Sequence, residues 1–341
     1  MDASPMWIVE FAIGLVLAAL TLRDLFHTVV VPGEPRGSLR IPRRLIDLTL
    51  PLVTGRSKEV GLGYAPAILL GSFTVWVLLL IVSFGLMAHA AASQFSPALG
   101  GFGEAAYLAA STLATVGIGD AQPSRLASVV VAAAGLCGLA AMTMAVTYVL
   151  QMQSNTHERD AGILKLTTSA GKPPSGLGLL ERYAALGAPE ELAGVLRNAR
   201  DWCAGVQQSH ASHPSLIYFR SRSVESSWPT AVGALLDAAL ITELLLDEGE
   251  RSGLAILTRE EGEGLASVLA GMLRLEVVEK KPSPEDVHVL LRRLAIAGYR
   301  VRTDVDEGAF ARTRATCSAA AQALCRHLGT PEAPLLPQAS D

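Results

Sequence analysis

The chain has 341 residues, half of them hydrophobic and 18% charged, with a formal net charge of −4 at pH 7. This balance is too apolar for an ordinary soluble enzyme, the length allows two domains, and the small net charge leaves no footprint for a nucleic-acid partner. Four cysteines, Cys137, Cys203, Cys317 and Cys325, stand apart without a CxxC pair, so neither a disulfide framework nor a structural zinc site is expected.

The first apolar run, from about Met6 to Val31, is long enough to cross a bilayer. It carries Glu10 near one end and Arg23, Asp24 and His27 near the other. No basic residue precedes it and no small-residue cleavage site follows, so residues 1–33 read as a spanning helix rather than a signal peptide. Ionisable groups at membrane depth are expensive. Here Arg23 can snorkel to the interface and Asp24 can pair with it or with a basic residue of the next loop, which gives the group an anchoring role. Regularly spaced arginines of a voltage sensor are missing.

Residues 34–64 carry Arg36, Arg40, Arg43, Arg44, Arg56 and Lys58. Between Ser38 and Val53 arginines alternate with Leu and Ile, as in a helix lying in the headgroup layer. Arg36, Arg40, Arg43 and Arg44 are candidate contacts for anionic membrane lipid, or they set orientation alone. The positive-inside rule places this loop in the cytoplasm, the amino terminus outside and the carboxyl-terminal half inside.

No charged residue occurs from Val60 to Gly103 or from Leu126 to His157, and each stretch exceeds the roughly 20 residues that a spanning helix needs. The first holds a span at 65–92 with Trp76 near its middle, expected to face lipid. Gly100 to Gly103 make a flexible entry to a breaker-free helix at 103–114, in which Glu104 suits the first turn. The second holds a span at 124–153, rich in Ala, Gly, Thr and Met, a composition suited to close packing among helices. Its Gly135 and Gly138 are candidate gating hinges or packing notches.

Between the short helix and the last span lies Thr115-Val116-Gly117-Ile118-Gly119-Asp120. To take a cation out of water a protein must replace its hydration shell with oxygens, and stacked rings of backbone carbonyls do so. Successive carbonyls point the same way when alternate residues take left-handed angles, which Gly117 and Gly119 tolerate. Thr115 can add its hydroxyl at the inner end. Non-helical backbone at membrane depth must be buried in protein or line a water-filled cavity, which argues for an enclosed pore.

Beyond Gln153 apolar residues recur at helical spacing in a soluble-type domain, 154–329, and a proline-containing tail, 330–341, is expected to be disordered. His210 and His213 form a weak H-x-x-H pair. Gly262-Glu263-Gly264 is acidic and lacks the third glycine of a phosphate loop. Motifs of serine and cysteine hydrolases, kinases and zinc peptidases are missing, so catalysis is not expected.

Outer helix, pore helix, TVGIGD and inner helix in this order resemble the pore module of the bacterial potassium-channel family with two helices around one pore loop, over about residues 65–153. Thr112, Thr115, Val116, Gly117, Gly119, Asp120 and Pro123 fall where that family's motif has them. The resemblance implies an all-α membrane protein in which four identical subunits surround one axis. The carbonyls of Thr115, Val116, Gly117 and Ile118 would coordinate potassium, and Asp120 would stand at the outer mouth. It departs from the family at Ile118, where an aromatic residue is usual, at Ser111, where some relatives have Glu, and at Tyr107, where those relatives often have Trp. The expectation is a passive potassium channel of a prokaryotic inner (plasma) membrane, with no cofactor beyond the transported ion. The alternatives are a weakly selective cation channel or a non-conducting membrane-anchored helical scaffold.

Overall fold

The computed structural model describes residues 6–30, 39–53, 58–117, 119–219, 226–247 and 249–337. The chain divides into two compact units, Met1–Gln153 and Ser154–Asp341.

The first unit contains α1 (Met6–Val29), α2 (Ile41–Val53), α3 (Lys58–Ala90), α4 (Phe102–Leu113) and the start of α5 (Arg125–Ala170). Two short antiparallel strands, β1 (Phe95–Ser96) and β2 (Gln122–Pro123), pair Phe95 with Pro123 and Ser96 with Gln122. Among the described residues α1, α3 from Tyr64 onward, and α5 are long and apolar enough to cross a membrane. This is therefore a helical membrane protein. Helix α1 lies against α3 at Gly14, where a Cβ would sit 2.6 Å from the Ser83 carbonyl oxygen and 2.9 Å from Met87 Cγ, so the missing side chain sets the approach. Ile8, Val9, Ile13 and Val16 of α1 remain exposed, as suits contact with lipid. Leu80, Phe84, Met87, Ala109, Leu113, Val130 and Ala134 form a core shared by α3, α4 and α5.

Two differences from expectation have physical causes. Trp76 does not face lipid: it is buried, and its indole N–H donates to Asp24 Oδ2 at 2.8 Å, because an indole donor removed from water needs an acceptor. Asp24, also buried, accepts in addition from the backbone N–H of Arg40 at 2.6 Å and of Ile41 at 3.3 Å. It therefore ties α1, the start of α2 and α3 together. Helix α5 runs to Ala170 rather than ending near Gln153. No proline interrupts it before Pro173, and Gly171 at φ 86° supplies the left-handed residue that ends it.

The second unit holds the end of α5 with α6 (Gly176–Ala185), α7 (Leu192–Ser212), α8 (Trp228–Leu244), α9 (Gly249–Met272), α10 (Pro284–Ile296) and α11 (Glu307–Leu328). Helix α8 is its centre, buried on every side from Trp228 to Thr242, which explains why its sequence is apolar all round. Its Asp237 accepts two hydrogen bonds from the Arg314 guanidinium of α11, both 2.8 Å, and both side chains are buried. Ser175, Ser227, Ser283 and Asp306 cap α6, α8, α10 and α11.

The disorder expected from Thr330 onward does not hold for residues 330–337. Leu335 is buried, the Thr230 hydroxyl donates to the Pro331 carbonyl at 2.6 Å, and Arg293 Nη1 donates to the Pro337 carbonyl at 3.2 Å. The prolines forbid helix, yet Ala333, Leu335 and Leu336 still pack on the core. Residues 338–341 lie outside the described residues.

Candidate pore loop

Helix α4 starts after a run of glycines at which Glu104 Oε2 accepts the Gly100 N–H at 2.6 Å. Close packing on α3 comes from Gly85, whose Cβ would lie 3.2 Å from Ala106 Cα and 3.4 Å from the Phe102 ring. Ala105, Ala109, Ser111 and Leu113 are buried, whereas Tyr107 is exposed. The far wall is α5, whose Gly138 meets the Leu113 carbonyl so closely that a Cβ would lie 2.7 Å from both Leu113 Cα and its carbonyl carbon. Gly138 is a packing notch; Gly135 has ordinary clearance, with Thr112 Cγ2 at 3.8 Å.

At the end of α4 the chain folds its donors inward. The N–H groups of Ala114 and Thr115 donate to Ala110 and Thr112, at 3.0 and 2.9 Å, and those of Val116 and Gly117 both donate to the Ser111 carbonyl, at 2.9 and 3.2 Å. The Ser111 hydroxyl donates to the Leu108 carbonyl at 3.0 Å. With the donors turned back to the helix, the carbonyls of Thr115, Val116 and Gly117 accept nothing among the described residues. Left-handed angles fall at Thr115 (φ 57°) and Gly117 (φ 67°). Alternation is present over these positions, with Thr115 joining the glycine that sequence points to. A threonine pays a strain of order 1–3 kcal/mol for that region, and such outliers persist where the surroundings over-determine them; here the 2.9 Å bond from its N–H to Thr112 holds it. Thr115, Val116, Gly117, Gly119 and Asp120 are all exposed. Ile118 lies outside the described residues.

Sequence reasoning missed how the outer end of the loop is fixed. The Gln94 carbonyl accepts both the backbone N–H and the hydroxyl of Ser124, at 2.9 and 2.8 Å, and Gln94 Oε1 accepts the Ala127 N–H at 3.2 Å. Strands of two residues leave no periodicity to detect; Ser124 ahead of an apolar run was the available signal for a helix start.

Of the candidate lipid contacts, Arg40 precedes α2 and is exposed, Arg43 and Arg44 lie in its first turn, and Leu48 is exposed on the same helix. Arg36 lies outside the described residues. At the other end of α1, Glu10 Oε1 is 2.6 Å from His89 Nδ1 of α3. His210 and His213 do not form a metal site together. His210 is buried with Nδ1 2.9 Å from the Val206 carbonyl and Nε2 3.5 Å from the Arg159 guanidinium, and a cation is repelled from that nitrogen. Burial, reinforced by Arg159, lowers its pKa to about 3.

A short helix and an extended loop thus lie between two helices long and apolar enough to span a bilayer, the arrangement of a helical membrane protein. Residues 74–155 match the family described as "Ion channel", so this part of the chain is similar to ion channels and supports that class over an enzyme. No curated protein and no solved structure matches the chain.

Proposed function

We propose that the chain forms a homotetrameric, potassium-selective channel through which ions move passively down their gradient. The observation that carries this reading is the set of carbonyls at Thr115, Val116 and Gly117, which accept no hydrogen bond among the described residues while their N–H groups are held by α4. Four copies around an axis stack these carbonyls into rings that replace the hydration shell of a cation. Ile118 contributes the next ring, Asp120 the negative charge of the outer mouth, and Gly135, which has room on its α4 side, the bend of the inner helix. One loop supplies one quarter of each ring, so assembly is obligatory for conduction. The uncovered apolar residues of α5, Leu136, Leu139, Met142, Val146 and Leu150, with Val116 at 58% exposure, supply surface for contact between subunits and for the pore wall.

In this reading the basic segment around α2 faces the cytoplasm of a prokaryotic plasma membrane, with Arg36, Arg40, Arg43 and Arg44 near anionic headgroups. The second reading, a weakly selective cation pathway, rests on Ile118, which packs but cannot brace the filter through a hydroxyl as an aromatic Tyr does. Native mass measurement of the purified protein, followed by potassium flux into proteoliposomes, tests the assembly. Four chains with flux are expected. A monomer or dimer contradicts the proposal, and a stable tetramer without flux supports the scaffold alternative.

A further inference from the structure

In the second unit, α5, α6, α7 and α8 leave a groove of about 550 Å³ between them, within the range of roughly 300–1,000 Å³ of small-molecule sites. Each helix turns one stripe toward it, and the floor is made by small or aliphatic residues: Leu166, Leu179, Ala199, Ala231 and Leu235, all buried. The room exists because alanines stand where a filled core would place larger side chains.

One wall is pre-set. Trp202 donates its indole N–H to the Arg159 carbonyl at 3.1 Å, and its ring occupies the space a Cβ on Gly162 would need. The ring plane is thereby locked beside an apolar floor. Around the rim stand Glu158, Lys165, Ser169, Tyr183 and Asn198, whose side chains have no hydrogen-bond or ion-pair partner among the described residues. Glu158 and Lys165 lie on the same stripe of α5, two turns and about 10 Å apart along the axis. An acidic group beside a fixed indole suits a cationic group. Lys165, with Ser169 one turn further on, suits an anionic one.

We propose that this groove is a binding site for a small zwitterionic molecule with an apolar, preferably planar, body and its two charges about 10 Å apart. The ammonium pairs with Glu158 over Trp202, the body covers the Ala199–Ala231–Leu235 floor, and the carboxylate pairs with Lys165.

The test uses full-length protein in nanodiscs of zwitterionic lipid and the rigid probe 4′-(aminomethyl)biphenyl-4-carboxylate, read by equilibrium dialysis against empty nanodiscs. One probe per chain is expected. Biphenyl-4-carboxylate and biphenyl-4-methylamine, each lacking one charge, should bind about two- to fivefold more weakly, the scale of a rim ion pair. Lys165→Gln should erase the advantage of the zwitterion over the amine, and Glu158→Gln its advantage over the acid. Both substitutions are on exposed positions and leave the core intact. Ala231→Leu should abolish binding of all three probes. Absence of binding, equal binding of the three probes, or affinities unmoved by the two charge variants would overturn the proposal; a groove filled by a neighbouring chain belongs to the first of these outcomes. The readout does not depend on conduction, so its failure leaves the pore reading untouched.

Discussion

Gly138→Ala separates a packing role from a hinge role, with Gly135→Ala as its internal control. At position 138 the new methyl carbon would lie 2.7 Å from Leu113 Cα and carbonyl carbon, against about 3.5–4.0 Å at the optimum for two carbons. Helix α5 must therefore retreat from the end of α4 by about 1 Å, an overpacking that costs about 1–3 kcal/mol per chain. At position 135 the nearest atom would be 3.8 Å away, an ordinary contact. Both substitutions gain the same helix propensity, about 1 kcal/mol, so the difference between them isolates the packing cost. Denaturation in mixed micelles, followed by tryptophan fluorescence, should place Gly138→Ala about 1–3 kcal/mol below Gly135→Ala. Because Leu113 directly precedes the turn that orients Thr115, potassium flux should fall in the same variant. Equal stability of the two variants would refute the packing argument.

Asp24→Ala strands the indole N–H of Trp76 and the backbone donors of Arg40 and Ile41; at about 1.5–3 kcal/mol per hydrogen bond to a charged group, a loss of 3 kcal/mol or more is expected in the same assay. Trp76→Phe removes one donor and should cost less. Arg314→Met leaves Asp237 as an unpaired buried charge and should cost about 3–5 kcal/mol, whereas Asp237→Leu combined with Arg314→Met should recover most of it; a double variant no better than the single one contradicts this. His210, held at a pKa of about 3 by burial and by Arg159, binds fewer protons folded than unfolded. Stability of the second unit should therefore fall as pH drops from about 6.5 toward 3, by up to about 1.4 kcal/mol per pH unit from this residue. Burial depresses His213 and His327 in the same direction, and His210→Gln should flatten the slope of the thermal midpoint against pH without abolishing it.

The spanning helices were legible in the sequence because the bilayer demands long charge-free runs, a one-dimensional property. The loop was legible in part: glycine spacing pointed to left-handed backbone at Gly117, whereas nothing local announced it at Thr115, where the bonds from Thr115, Val116 and Gly117 to α4 impose it. Asp24 stood out as a costly group at membrane depth, while its partners across 16, 17 and 52 residues left no local trace. Trp76 was misread for the same reason. The tail after Thr330 misled because proline excludes helix without excluding packing, and three apolar residues suffice to hold residues 330–337 against the core. The notch at Gly138 could not be told from a hinge until Leu113 was seen opposite it.

Reversal potentials of the purified protein in planar bilayers, with potassium on one side and sodium on the other, test the central claim most directly. A potassium filter built from the carbonyls of Thr115 to Ile118 predicts a reversal potential displaced strongly toward the potassium equilibrium value. A reversal potential near zero, meaning equal permeability to the two ions, would contradict it.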